Sequence, residues 1–470
     1  HALLGENGAG KTTLMNILYG LLLPDEGEII IRGKPTKISS PREAINLGIG
    51  MVHQHFKLIP THTVSENIVL GLTSTPFFFP AEKAEFEIKS LSEKYGLKID
   101  PRARVWQLSA GEKQKVEILK ALYRRANILI LDEPTSVLTP QEAEELFATL
   151  LAMKEEGKTC IFITHKLNEV KEIADVVTVM RKGKVVSTTL SSQVSLEELA
   201  RMTVGKEVIS VVPRKITSDK TILQLQEVSA MGDRDFPALL NISLTVRKGE
   251  IVGVAGIAGN GQKELAEVIV GLRPVTKGHI FLEDREITNL LPRDIASSGV
   301  AYIPEDRHLG LVGEMSVAEN LLLRGYSQPP FSQGFWVDWE KAEAYSEKLI
   351  SNYQISPPLS DIPVRILSGG NRQRVVIARE LERKPKLVIA SHPTAGLDVS
   401  GVEAIHKLLI KAQEEGAGIL LISGDLDELL KLSNRIVIMF RGEIVGEKEK
   451  EHWTEEDRRE IGLRMGGVKR

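Results

Sequence analysis

The sequence predicts an α/β protein made of two homologous halves in tandem, and three observations carry that prediction. His1-Ala2-Leu3-Leu4 reads as a short strand, GENGAGKTT (Gly5 to Thr13) as a glycine-rich turn, and Thr13-Leu14-Met15-Asn16-Ile17-Leu18 as a helix start with apolar residues at helical spacing. A near-copy of the turn, GIAGNGQKE, returns at Gly256 to Glu264 without the lysine and both threonines. Apolar runs of strand length, Ile128 to Leu131 and Ile161 to Ile163, end in polar residues and recur in the second half.

Composition bounds the problem. At 470 residues and 51.9 kDa the chain is too long for one ordinary core. Hydrophobic residues at 42% and charged ones at 26% place it among globular proteins. A net charge of −3 leaves no electrostatic footprint for nucleic acid. The single cysteine, Cys160, excludes an internal disulfide, fits a reducing compartment, and reads as a small buried strand residue within TCIFI. No apolar run of about 18 residues is present, so no spanning helix is expected; no signal peptide is expected either.

The repeat fixes the architecture. An offset of 251 residues pairs Lys11 with Gln262 and Gln54 of MVHQHFKL with Glu305 of YIPEDRHL. An offset of 259 pairs LSAGEKQ at Leu108 with LSGGNRQ at Leu367, Asp132 with Ser391, Thr139 with Asp398, and His165 with Gly424. A net insertion of eight residues between Glu305 and LSGGN accounts for the change of register. The predicted boundaries are a first domain over 1–207, a short polar linker over 208–221, and a second domain over 222–470. On this register the stretch from Ile222 to Ile251 has no counterpart in the first half, and the chain starts without Met. It therefore reads as a fragment that expects roughly 30 further residues ahead of His1.

The first turn has the pattern G-x-x-x-x-G-K-[ST]. Its glycines turn backbone N–H groups onto phosphate oxygens, Lys11 reaches the outer phosphates, and the Thr12 hydroxyl suits Mg²⁺. The strand Ile128 to Leu131 ends in Asp132 and Glu133, where α/β sheets place ligands. Taken alone, D-E-P also reads as a strand broken by Pro134, and His165 as a structural histidine at a strand end. His53 and His55 flank Gln54 without a third ligand and read as loop residues. Ser109 and Ser368 precede helical sequence, so each reads both as a helix cap and as a second phosphate contact.

Phosphate loop, glutamine, LSGGQ-like signature, acidic strand end and histidine, in that order and twice over, resemble the ATP-binding cassette of ABC transporters. The resemblance covers essentially the whole chain. It implies two tandem P-loop NTPase domains, each with a RecA-like core and a helical subdomain, the first helical subdomain lying over about Phe56 to Trp106. The apolar run Thr75 to Pro80 within it reads as packing or as a permease-facing patch. Two fused cassettes with a degenerate second one resemble the ATPase subunit of importers for simple sugars and nucleosides. The wording of MVHQHFKLIPTHTVSENIVLG and YIPEDRHLGLV resembles the nucleoside branch.

The resemblance also implies roles. Gly5, Glu6, Asn7, Gly8, Ala9, Gly10, Lys11, Thr12 and Thr13 would hold the phosphates of ATP; Thr12, Gln54 and Asp132 would hold Mg²⁺; Glu133, His165 and Gln54 would serve the hydrolytic step. In ABC cassettes the halves pack head to tail, so the site on Lys11 would be completed by Ser368, Gly369, Gly370, Asn371 and Asp398 of the second half. The other site would combine Gln262, Lys263, Glu305, Ser391, His392 and Gly424 with LSAGE and Thr139. The losses are sorted by site rather than by half. The implied partners are two transmembrane permease subunits and, through them, an extracytoplasmic substrate-binding protein, with the chain on the cytoplasmic face of the membrane and no nucleic acid bound. A soluble twin-cassette ATPase acting on ribosomes is the alternative. Its two intact sites and long charged linker are not the pattern here, and the zinc cysteines or coiled-coil arms of a DNA-repair ATPase are absent.

Overall fold

The computed structural model describes residues 1–53, 56–72, 81–135, 138, 140–204, 218–233, 236–257, 259–333, 336–449 and 453–467. It divides into two compact units, His1–Val208 with Asp398–Ser400, and Ile209–Leu397 with Gly401–Arg470.

The first unit is built on a six-stranded sheet in the order Ile49–Val52, Ile128–Asp132, Thr159–Thr164, Ala2–Gly5, Val176–Arg181, Lys184–Leu190. The first five run parallel and the last pairs antiparallel. Central strands covered by helices on both faces must be apolar throughout, and Leu129, Ile130 and Leu131 are each at most 1% exposed. The antiparallel edge closes through Lys182-Gly183, both at positive φ (49° and 77°), the backbone that a two-residue hairpin requires.

The second unit repeats this order as Val300–Ile303, Leu387–Ser391, Gly418–Ser423, Ile251–Ala255, Arg435–Phe440, Glu443–Glu449. Every strand but the loop strand starts and ends on the sequence offset: 49–52 meets 300–303 at 251, and 128–132 meets 387–391 at 259. The edge hairpin also repeats, through Arg441-Gly442 at φ 49° and 79°. A four-stranded antiparallel sheet, in the order Pro237–Arg247, Thr221–Met231, Lys277–Leu282, Arg285–Glu286, belongs to this unit. In the first unit only the hairpin Ile30–Ile31 with Lys34–Pro35 stands at the corresponding positions. The eight-residue insertion falls in the stretch that carries the small hairpin Ser332–Gln333 with Trp336–Val337.

The segment 56–106 carries helices Val64–Val69 and Ala81–Lys94, followed by Ala110–Tyr123. Thr63 opens the first of these with a capping box to Glu66. The run Thr75 to Pro80 and most of the expected linker lie outside the described residues. Among the described residues no helix is long and apolar enough to cross a membrane. Cys160 lies on the strand Thr159–Thr164, as its sequence setting suggests, but is half-buried rather than buried, because that end of the strand lies at the sheet's margin.

Candidate functional site

In the first unit the glycine loop leaves the carboxyl end of the strand Ala2–Gly5 and enters the helix Lys11–Leu18. Glu6 and Asn7 lead into its turn and Ala9 stands between Gly8 and Gly10, which hold φ of 79° and 95°, the left-handed region open to glycine. Gly5 is fixed by a different constraint: a Cβ there would stand 2.4 Å from the Met180 carbonyl oxygen. Lys11 is 6% exposed and folds back into the loop, donating to the carbonyls of Gly5 (2.7 Å) and Glu6 (2.9 Å). Burial lowers its pKa, against the charges of Glu133 and Asp132. Thr13 continues the helix.

Asp132 ends the strand Ile128–Asp132, and 120 residues of sequence separate it from Thr12, whose hydroxyl donates to it at 3.1 Å. Burial raises its pKa, with the Thr12 hydrogen bond opposing. Two hard oxygen donors side by side at a partly buried carboxylate fit Mg²⁺, which takes one or two protein ligands and leaves the rest to phosphate and water. Among the described residues no cluster of three or more His, Cys, Asp or Glu side chains is placed to hold a metal ion.

Glu133 follows at φ 47°, outside the strand geometry, and its carboxylate meets His165 Nδ1 at 3.0 Å. Burial pushes this carboxyl up, but the His165 hydrogen bond and the charges of His165 and Lys11 outweigh it and hold it below the usual range. Lys11, Thr12, Asp132, Glu133 and His165 are thus gathered at the carboxyl ends of three neighbouring strands. Gln54, His55 and Thr139 lie outside the described residues. His53 stands edge-on to Tyr19, ring centroids 6.1 Å apart.

The equivalent place in the second unit keeps the backbone and changes the groups. His392 has φ 45° and its N–H donates to Ile422, as Glu133 donates to Ile163. Gly424 now supplies only a backbone N–H, 3.4 Å from His392 Nδ1. Ser391 stands for Asp132 and Gln262 for Lys11. Both signature serines cap helices: Ser109 accepts from Glu112 N–H in a capping box, and Ser368 accepts from the Asn371 side chain at 3.0 Å. Gly369 and Gly370 open the helix Gly369–Leu381. Asp398 accepts from Ser400 at 3.1 Å.

Sequence reasoning missed the buried carboxylate behind each site. Glu169 accepts from Thr135 (2.6 Å) and Thr164 (2.8 Å), and Glu428 from Thr394 (2.7 Å) and Ser423 (2.7 Å). The signal was there in the 259-residue offset that preserves both glutamates and all four hydroxyls.

A sheet of this order, doubled, with a lysine-bearing glycine loop beside an Asp-Glu strand end, defines a twin nucleotide-binding cassette. The family model described as ABC transporter matches residues 1–136 and 239–395, and the chain belongs to that family. It is an ABC ATPase with two tandem cassettes. The nucleoside import ATP-binding protein NupA of Lactococcus lactis is 46% identical over 99% of this chain and 92% of its own length. The guanosine import ATP-binding protein NupO of Bacillus subtilis is 45% identical over the same shares, and the glucose import ATP-binding protein TsgD13 of Haloferax volcanii 44% over 99% and 90%. An archaeal ribosome recycling factor, aABCE1, solved with the stalk protein aP1, superposes with a TM-score of 0.67 over 99% of this chain and 88% of that one, at 20% identity, a likeness of fold alone.

Proposed function

We propose that this chain is the ATP-hydrolysing subunit of a membrane importer for nucleosides or simple sugars, with one hydrolytic site built on Lys11 and one degenerate site built on Gln262. The observation that carries the reading is the asymmetry between equivalent backbones: Lys11, Thr12, Asp132, Glu133 and His165 converge in one unit, while Gln262, Lys263, Ser391, His392 and Gly424 stand in their places in the other. Relatives named for nucleoside, guanosine and glucose import support the substrate class, and the MVHQHFKL and YIPEDRHL wording favours nucleosides. Two permease subunits and an external binding protein complete the transporter, and the chain works at the cytoplasmic face of the membrane.

At the working site the phosphate oxygens of ATP take over the Lys11 ammonium from the Gly5 and Glu6 carbonyls. Thr12, Asp132 and Gln54 would hold Mg²⁺, which would supply charge neutralisation on the outer phosphates. Glu133, kept ionised, accepts the proton of the attacking water, and His165 holds its carboxylate in place. Ser368, Gly369, Gly370, Asn371 and Asp398 are the nucleotide-binding residues of the second half. The degenerate pocket holds nucleotide as a fixed clamp and does not hydrolyse it, since it lacks the lysine, the Asp and the Glu.

The test is Glu133→Gln in the chain assembled with its permease. ATP binding is expected to persist while turnover falls roughly 10²- to 10⁴-fold, the range for losing a general base. Retained hydrolysis would show that another group is the base. A partner solute-binding protein that bound neither nucleosides nor sugars would overturn the substrate class.

A further inference from the structure

Behind the contact of Glu133 with His165 a single carboxylate holds two turns at once. The strand Ile128–Asp132 stops one residue before Glu133, and the strand Thr159–Thr164 one residue before His165. The ladder between these strands ends with Asp132 opposite Ile163, and Glu133 N–H adds one bond, to the Ile163 carbonyl at 3.0 Å. Past that bond the two turns need another tie. The helix Leu167–Ile173, anchored by the fully buried Val170, brings Glu169 to them. Its Oε1 accepts from Thr135, two residues after Glu133, at 2.6 Å, and its Oε2 from Thr164, the residue before His165, at 2.8 Å. Thr135 and Thr164 are at most 3% exposed. Lys166 N–H donates to the same Thr164 hydroxyl at 3.0 Å, which closes the turn around His165 and leaves the hydroxyl proton to Glu169.

The second unit separates this bridge from the groups it carries. Glu428 accepts from Thr394 and Ser423, both at 2.7 Å, and Asp425 N–H donates to Ser423 at 3.0 Å, as Lys166 does to Thr164. His392 N–H reaches the Ile422 carbonyl at 2.7 Å, as Glu133 reaches Ile163. Yet His392 and Gly424 stand where the first unit has Glu133 and His165. The bridge therefore sets the path of two turns whatever side chains they present. In the first unit those side chains meet at 3.0 Å, a hydrogen bond that a shift of about 1 Å would break. Misplacing a reacting group by about 1 Å is enough to cost about 10²-fold in rate.

We propose that Glu169 is a positioning residue for ATP hydrolysis: by bridging Thr135 and Thr164 it fixes the two turns on which Glu133 and His165 meet. This rests on the reading of Glu133 as the base and His165 as the group that holds it. In the chain assembled with its permease, Glu169→Ala should lower kcat about 10- to 100-fold while KM for ATP moves less than about threefold, because the bridge ties strand ends and not the Lys11 loop. Glu169→Gln should stay within about threefold of the parent, since its amide oxygen accepts from Thr164, its N–H donates to Thr135, and a hydroxyl takes either role. Glu428→Ala cuts the matching bridge where neither reacting group stands, and should leave turnover within about threefold of the parent. Equal losses from Glu169→Ala and Glu428→Ala, or a glutamine that restores nothing, would reduce the bridge to a structural tie and overturn the proposal. A rise in KM that accounts for the loss would overturn it too. His165→Ala tells the two readings apart. If it leaves turnover intact, the reading of base and holder fails and the proposal with it; if it costs turnover and Glu169→Ala does not, the positioning role alone fails. Should Glu169→Ala fail to fold, Thr135→Val against Thr394→Val makes the same comparison, each removing one arm of a bridge. Loss of kcat is expected only in Thr135→Val, and unchanged turnover there refutes the role of Glu169.

Discussion

Glu428 shows how single residues were exchanged without losing the local balance. It is 4% exposed and pairs with His406 at 3.2 Å, and although burial pushes its pKa up, the hydrogen bonds from His406, Ser423 and Thr394 bring it below the usual range. Its counterpart Glu169 meets Lys166 instead, at 3.4 Å. Lys166 aligns with Asp425 and His406 with Phe147, so the basic partner comes from a different element in each half and meets the same carboxylate oxygen, Oε1. Removing one partner of a buried pair leaves a charge without compensation, so His406→Phe should cost about 3 kcal/mol in denaturant unfolding of the second unit. Adding Glu428→Gln should restore at least half of that, because an amide still pairs with the two hydroxyls. A double variant no more stable than His406→Phe would mean that lost packing, not charge, is the cause.

Among the elements, the glycine-loop helices differ most in what covers them. Leu265, on the helix Gln262–Ile269, is fully buried in a core shared with Leu223, Leu225 and Leu239 of the antiparallel sheet. Leu14, at the same position of Lys11–Leu18, is 41% exposed. Leu265→Ala should therefore cost about 2 to 5 kcal/mol, as large-to-small core changes do, and Leu14→Ala less than about 1. Equal losses in the unfolding transitions of the two units would contradict this. The same sheet is clipped to the parallel one by Glu283, which bonds Lys220 at 2.6 Å and Lys386 at 2.7 Å and whose pKa these bonds pull down to about 2. The folded value lies below the unfolded one, so the contribution is complete above about pH 4.5 and fades as pH falls toward 2. Measured by thermal unfolding, the gap between the parent chain and Glu283→Gln should be open at pH 6, narrow as pH falls below about 4.5, and close only below about pH 2, where the carboxyl is protonated in both states. A gap that widens in acid would reverse the sign.

For the whole molecule the sorting of losses by site makes a sharp demand. If the halves close head to tail, Ser368 serves the pocket on Lys11, and Ser109 only the pocket on Gln262. Ser368→Arg should then abolish ATPase activity in the assembled transporter, whereas Ser109→Arg should leave substantial activity. Both serines cap their helices, so the structural loss from either change is about 1 kcal/mol and similar. A difference in activity therefore reports on the pocket. Gln262→Lys should fail to rescue Lys11→Ala, because Ser391, His392 and Gly424 remain. Equal damage from the two serine changes would assign them a structural role, and greater damage at Ser109 would move the working pocket to the other loop.

Chain order alone determined the doubled α/β architecture, the glycine loops, the strand ends at Asp132 and Ser391 and the capped signature helices, because each depends on residues within a few positions of one another. The offsets of 251 and 259 residues carried strand boundaries from one half to the other for the same reason. Tertiary structure decided what lies between distant segments: the Thr12 hydroxyl on Asp132 across 120 residues, the His165 ring on Glu133, and the exchange of Lys166 for His406 beside a buried carboxylate. It also decided the left-handed turn at Glu133 and the infolding of Lys11 and Gln262. Neither follows from local propensity, since a glutamate disfavours positive φ and a lysine disfavours burial; the surrounding sheet and loop carbonyls supply the compensation.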